Sequence, residues 1–480
     1  MSFSRRSFLN TAAAGVAFAG FARLARAEDA PLDETYRNEV FGYGPLKADP
    51  FGVLDLPEGF AYRIVSQAGE RMSDGLFAPY KADGMDCFAA GGSRVILARN
   101  HELKPLDRNH GPLGVHERLA TEAPHPMLGL GHGKLDPAKA YDLDPQGHPL
   151  PGGVSMLTYD LKSGQLVSQH MALTGTAINC AGGRTPWGSW LSCEETLLRA
   201  GEGVAKSHGW VFEVPATAKG QVEARPIPAL GRIRHEAACV DPRTGIVYLT
   251  EDDNDTVGLF YRMLPEAPGE LLKGGRLQAL AFKGQPGADS RNYDSRAWSE
   301  GDWRETEWID IDGTDNPNND IAQRGHAKGA AHFARGEGVH FGDGELYFCC
   351  TSGGAAKSGQ VMRYVPSRFE GQPGEAGEPG RIQLFVETTD EKVLNFADNI
   401  TVAPWGHLVI CEDNYSKEKK NHLRGVTPQG QVYTIGRNVF RDNAEFAGAC
   451  FSPDGSTLFV NIYWPGITVA ITGPWSGFRS

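Results

Sequence analysis

A thiol and two adjacent carboxylates bracket one short segment of this chain. NCAGGRTPWGSWLSCEE, Asn179 to Glu195, sets Cys180 in a small-residue stretch and Glu194 and Glu195 directly after an apolar one. Pro-Trp-Gly between them has the chemistry of a tight turn. A thiolate with carboxylates suits a transition ion such as iron, and carboxylates alone suit a hard cation such as calcium. Either chemistry needs the two ends of the segment to meet. An antiparallel hairpin brings them side by side.

The plan recurs along the chain. Met85–Glu102, His235–Asp253, Glu337–Gly354, Asp398–Asn414 and Glu445–Gly466 each hold a short apolar or small-residue run, a Gly/Pro/Asp turn and an apolar strand. Further strand-like runs lie between them, among them VSMLTYDLKSG, WVFEVPA, LFYRMLP, VMRYVPS and VYTIGRN. A hairpin with one such pair makes a four-stranded blade, so the pattern predicts an all-β, six-bladed β-propeller. The Gly-, Asp- and Asn-rich stretches at 103–150 and 284–330 are expected to be loops over one face.

In a propeller the innermost strands line a central channel. The hairpin ends then gather at one mouth, and the residues at those ends are Asp86; Asn100, His101 and Glu102; Asn179 and Cys180; Glu194 and Glu195; His235 and Glu236; Glu251, Asp252 and Asp253; Glu337; Asp398 and Asn399; Glu412 and Asp413; and Glu445. Like charges a few ångströms apart repel strongly, so cations sit among them or several are protonated. Arg335 stands two residues before Glu337 and faces the same way at strand period. An arginine beside bound metals is what an oxyanion such as phosphate needs.

The rest of the chain bounds where this chemistry takes place. Its 60 glycines and 30 prolines disfavour long helices. A formal net charge of −12 argues against nucleic acid as a partner. Arg5 and Arg6, an apolar stretch and the small-residue site Ala25–Ala27 read as a twin-arginine export signal over residues 1–27. Residues 28–480 are then one propeller domain, periplasmic or secreted, monomeric and without a membrane span. The twin-arginine machinery carries folded proteins, which suits a chain that takes up its metal inside the cell. The eight cysteines show no CxxC zinc pattern, and most sit in apolar runs as small core residues. No G-x-S-x-G elbow and no Gly-rich nucleotide loop is present.

These residues resemble the PhoX-type alkaline phosphatases. The resemblance lies in the export signal, RNHE at 99–102, the Cys-to-Glu segment at 179–195, RHEAA at 234–238, RGEGVHF at 335–341 and ADNITVAPWGHLVICED at 397–413. It implies a six-bladed propeller that hydrolyses small phosphate monoesters with iron and calcium at the channel mouth. By the resemblance Cys180 is the thiolate ligand of iron, with Glu195 and Glu236 as carboxylate ligands. Glu337 holds metal, Arg335 reaches the phosphate, and Asp398 and Asn399 are calcium ligands. Glu102 and Glu412 fit the ring. The segment before Asn179, SQHMALTGTAI, offers no second phosphate-binding arginine. Two other readings of the residues stay open: a calcium-dependent propeller lactonase or esterase, which needs no Cys180, and a non-catalytic exported propeller that binds partners on its face.

Overall fold

Short runs such as Leu346–Cys350 (LYFCC) and Leu408–Glu412 (LVICE) are buried along their whole length. Strands of this kind have sheet on both sides and carry apolar or small residues at nearly every position. The computed structural model describes residues 35–114, 133–253, 256–414, 420–440 and 443–480. The twin-arginine segment lies outside the described residues.

The six expected hairpins all form. Their strand pairs are Ala82–Ala89 with Arg94–His101, Asn179–Arg184 with Ser189–Glu194, His235–Val240 with Val247–Glu251, Gly336–Phe341 with Leu346–Cys350, Ala397–Val402 with Leu408–Glu412, and Phe446–Phe451 with Thr457–Ile462. We number these units first to sixth. Each connecting turn has a glycine at positive φ, for example Gly188 at 85° and Gly455 at 71°, where a side chain would be strained. The first strand of each unit neighbours that of the next, and the sixth returns to the first, closing a ring. The predicted outer runs are strands Gly152–Asp160, Val211–Pro215, Phe260–Pro265, Gln360–Val365 and Val432–Asn438.

Apolar cores fill the gaps between successive units. Leu191 and Val211 of the second meet Val240 and Val247 of the third. Phe260 of the third stacks on Phe348 of the fourth with ring centroids 4.3 Å apart. Such a pair adds about 1 kcal/mol beyond the area that it buries. The chain closes on itself through Ala61–Gln67, which pairs with Ile467–Thr472 of the last unit.

The fold is all-β and propeller-like, but its hydrogen bonds make five sheets rather than six separate blades. The third and fourth units share a nine-stranded sheet. Trp303–Asp310 causes this by pairing with Gly275–Phe282 on one side and Arg381–Glu387 on the other. Two outer edges left open would each invite a partner, and this strand satisfies both. The stretch 284–330, expected as loop, therefore contains a strand, together with the short helix Ile321–Ala327. No helix among the described residues is long and apolar enough to cross a membrane.

Candidate metal centre

One backbone hydrogen bond recurs in all six units. The N–H of the residue that follows the second strand donates to the carbonyl of the residue that precedes the first. The pairs are Glu102 to Lys81 (3.0 Å), Glu195 to Ile178 (2.8 Å), Asp252 to Arg234 (3.2 Å), Thr351 to Arg335 (3.1 Å), Asp413 to Phe396 (3.0 Å) and Tyr463 to Glu445 (3.2 Å). This bond makes the hairpin ends meet at a single mouth.

A second repeat aims the side chains. Every first strand slips register near its start, one residue later in the sixth unit than in the others: between Ala82 and Met85, Asn179 and Gly182, His235 and Ala238, Gly336 and Val339, Ala397 and Ile400, and Ala447 and Cys450. Two residues there oppose one, which is a β-bulge, a device that re-aims a side chain. The first bulged residue is Asp83, Cys180, Glu236, Glu337 and Asp398 in the first five units, and Gly448 in the sixth. The second is glycine or alanine in every unit but the fifth, where it is Asn399, because neighbouring strands nearly touch. A Cβ on Gly84 would lie 2.4 Å from Ala181 Cα, and one on Gly338 would lie 2.7 Å from Asn399 Cα. Lys81, Ile178, Arg335 and Phe396, just before their strands, have left-handed φ of 48–52°. Side-chained residues rarely adopt that conformation, and it clusters at functional sites.

The outcome is a continuous arc of candidate ligands. Cys180, Glu195 and Glu236 each offer a ligand atom within 4.8 Å of the others; so do Glu236, Glu337 and Asp398, and so do Asp398, Asp413 and Glu445. Glu236 and Asp398 are each shared by two sets. Cys180 Sγ donates to Asp83 Oδ2 at 3.6 Å. Both carboxylate oxygens of Glu236 are buried without a hydrogen-bond partner. A buried carboxylate with no donor is costly unless it is protonated or ligates a cation. At this spacing two carboxylates repel by about 3 kcal/mol even at an effective dielectric constant near 20. Burial first, then the neighbouring acids, pushes Asp83, Glu195, Glu236, Glu337 and Glu445 well above the carboxylate range. The same causes raise Asp398 to about 7. The donor set thus fits bound metal: a thiol and oxygens at one end, oxygens alone at the other.

The remaining expected residues divide by face. Arg335 Nη2 lies 2.7 Å from Asp252 Oδ2 and 3.0 Å from Glu337 Oε1, so it belongs to the centre. Asn399 is the second bulged residue; its amide donates to Asp398 Oδ1 at 2.7 Å, and its Oδ1 accepts the Gly448 N–H at 2.8 Å. In this placement it orients Asp398 and ties down the sixth unit. Glu102 is at the mouth and accepts a hydrogen bond from the Tyr463 hydroxyl. Glu412 turns away to an ion pair with Arg424 at 2.6 Å and to His422. Glu194 and Glu251 turn away likewise, the first to His208 and backbone N–H groups, the second to the Tyr261 hydroxyl. Asn100, His101 and His235 are buried in structural hydrogen bonds. Asp86 lines the channel on the far side of the bulges, in a cavity of about 280 Å³ with Arg184 and His340.

Asp83 and Tyr463 were not expected. The segment drawn from the sequence begins at Met85 and so leaves Asp83 out. The signal was present, because Ala-Asp-Gly at 82–84 parallels Gly-Glu-Gly at 336–338 and Ala-Asp-Asn at 397–399. Tyr463 gave no such signal, since a tyrosine after a strand is ordinary.

Fold and mouth together define the class: a propeller-like protein whose mouth gathers acidic side chains and a thiol that could hold metal. The chain belongs to the alkaline phosphatase PhoX family, whose family model matches residues 41–136 and 150–466. It is thus a phosphatase. The structure of Pseudomonas fluorescens PhoX in complex with vanadate, a transition state analogue, aligns with a TM-score of 0.65 and 18% identity, covering 92% of this chain and 99% of that one. At that identity the likeness is one of fold. Pseudomonas aeruginosa periplasmic gluconolactonase covers 83% of both chains at 13% identity, but with a TM-score of 0.36. A Dyadobacter fermentans protein of unknown function reaches 0.41 at 9% identity, covering 87% of this chain and 99% of that one. Scores this low carry no argument. No curated protein sequence matches the chain.

Proposed function

We propose that this phosphatase is an exported, metal-dependent phosphomonoesterase that releases phosphate from small organic esters. The observation that carries the reading is the arc itself, three ligand sets joined through Glu236 and Asp398. Iron is assigned to the end that holds Cys180, Glu195 and Glu236, because a thiolate is a soft ligand. Calcium is assigned to Asp398, Asp413 and Glu445, all hard oxygen donors. Glu337 joins the two ends, and Asn399 orients Asp398.

Metal ions held there supply Lewis-acid charge to the phosphoryl group and a nucleophile from water. The chain's own residues bind and orient. Arg335, held by Asp252 and Glu337, presents its guanidinium beside the arc, where it meets a phosphoryl oxygen. The bulges fix each ligand on rigid strands rather than on loops, so little reorganisation accompanies reaction.

The ring of first strands and the cores between successive units support six blades, two of them fused at their outer edges. Residues 1–27 are the twin-arginine signal and 28–480 a single domain, monomeric and acting in the periplasm or beyond it. Elemental analysis of natively exported protein, paired with turnover of 4-nitrophenyl phosphate, tests the function. Iron and calcium with turnover support it; an active protein free of both metals would overturn it.

A further inference from the structure

We propose that Lys81 is a second cation for the phosphoryl group, acting across the mouth from Arg335. The proposal rests on reading this mouth as the phosphatase site. The recurring backbone bond makes six positions equivalent: Lys81, Ile178, Arg234, Arg335, Phe396 and Glu445. In the ring of units the first and the fourth stand opposite, so Lys81 and Arg335 occupy facing places.

The two share more than position. Their φ values are 48° and 49°, so both side chains start from left-handed backbone just before a first strand. Both side chains are mostly covered yet reach solvent, at 18% and 15% exposure. Each is held by a carboxylate from beyond its own strand. Lys81 Nζ lies 3.0 Å from Asp107 Oδ2, and Arg335 Nη2 lies 2.7 Å from Asp252 Oδ2. Asp107 is itself fixed, accepting the Lys104 N–H at 3.1 Å.

Charge balance calls for such a group. A phosphate monoester brings up to two negative charges to a mouth already rich in carboxylates. Arg335 is shared between Asp252 and Glu337, so its charge is largely committed. Lys81 donates to Asp107, and an ammonium has three donors, which leaves two to turn toward an oxyanion. A lysine at the end of a flexible stem can keep its carboxylate and reach a phosphoryl oxygen together.

Arg234 is the third basic residue at this position, and the structure separates it from the other two. Its φ is not left-handed. Its charge acts on Glu251, which faces away from the centre, whereas that of Lys81 acts on Glu102 at the mouth.

The test uses full-length exported protein, 4-nitrophenyl phosphate as substrate and inorganic phosphate as inhibitor, with metal content measured on each variant. Lys81→Met is expected to raise KM and the phosphate inhibition constant about tenfold, the scale of one charge-assisted hydrogen bond, while metal is retained. Lys81→Arg should restore both constants. Lys81→Gly suits the left-handed backbone and removes the side chain without backbone strain, so it should match Lys81→Met. Parent values in Lys81→Met and Lys81→Gly would overturn the proposal, as would loss of metal in either. So would a raised inhibition constant in Arg234→Met alone. Glu337→Gln, measured alongside, tests the mouth separately. If it turns over normally the site itself is misplaced; if it is inactive while Lys81→Met is unchanged, only the role of Lys81 fails.

Discussion

Glu194 and Glu195 are consecutive in the chain and face opposite ways. Glu194 is fully buried and bonded to His208 Nδ1 at 2.7 Å, whereas Glu195 lies within 4.8 Å of the ligand atoms of Cys180 and Glu236. One residue of strand period thus separates a structural charge from a candidate ligand. Glu251 and Asp252, and Glu412 and Asp413, divide in the same way.

Cys180 is the sharpest point at which to test the centre. Cys180→Ser should lose iron and lower turnover by roughly 100-fold or more, about 2.7 kcal/mol of barrier, because a hydroxyl rarely deprotonates to ligate as a thiol does. Cys193 faces the core between the second and third units. Cys193→Ser should keep iron and activity and cost about 1–2 kcal/mol of stability. Equal iron in Cys180→Ser and the parent protein would refute the ligand role.

Glu337→Gln keeps the size of the side chain and removes a charge shared with Arg335. Metal retention and phosphatase activity should both fall, activity by about 100-fold. Glu213, on an outer strand, accepts hydrogen bonds from Trp187 and Ser189. A glutamine there keeps an acceptor, so Glu213→Gln should leave turnover near the parent value and cost about 1 kcal/mol of stability. Assays at saturating substrate with a matched thermal melt read both effects.

Gly338 sits between two candidate ligands, Glu337 on its own strand and Asp398 on the next. Gly338→Ala would press a methyl to 2.7 Å from Asn399 Cα and Ile400 N, both backbone atoms. The neighbouring strands must part, at a cost of about 1–3 kcal/mol. Activity should fall by more than the melt suggests, because the parting moves Glu337 from Asp398. An unchanged kcat together with an unchanged melting temperature would contradict this packing.

His208 carries a pH signature away from the centre. Burial lowers its pKa, but Glu194 and Asp142 on either side more than reverse this and raise it above 6.5. A histidine raised on folding adds stability that is fully present below the unfolded pKa near 6.5 and is lost as pH rises through the folded value. Denaturant midpoints should therefore fall on the alkaline side of 6.5 in the parent protein. His208→Gln should lose about 3 kcal/mol at pH 6 and show a flatter profile above it. Parallel profiles for the two proteins would exclude this linkage.

The hairpins, the outer strands and four of the first bulged residues could be read locally. A tight turn between apolar runs specifies its own pairing, and pairing brings the ends of one segment together whatever surrounds it. Cys180, Glu236, Glu337 and Asp398 were accessible on that basis. Which acid of each consecutive pair enters the mouth was not, because strand period turns the two to opposite faces and the packing of neighbouring strands decides which face meets the channel. Asp83 joins Cys180 only across two units. Lys81 and Arg335 become equivalent only when the ring closes. Trp303–Asp310 fuses two units because two distant edges happen to lie open beside it. Contacts made within a dozen residues are written in local pattern, whereas those made between units exist only once the ring has formed, since no short stretch of chain contains both partners.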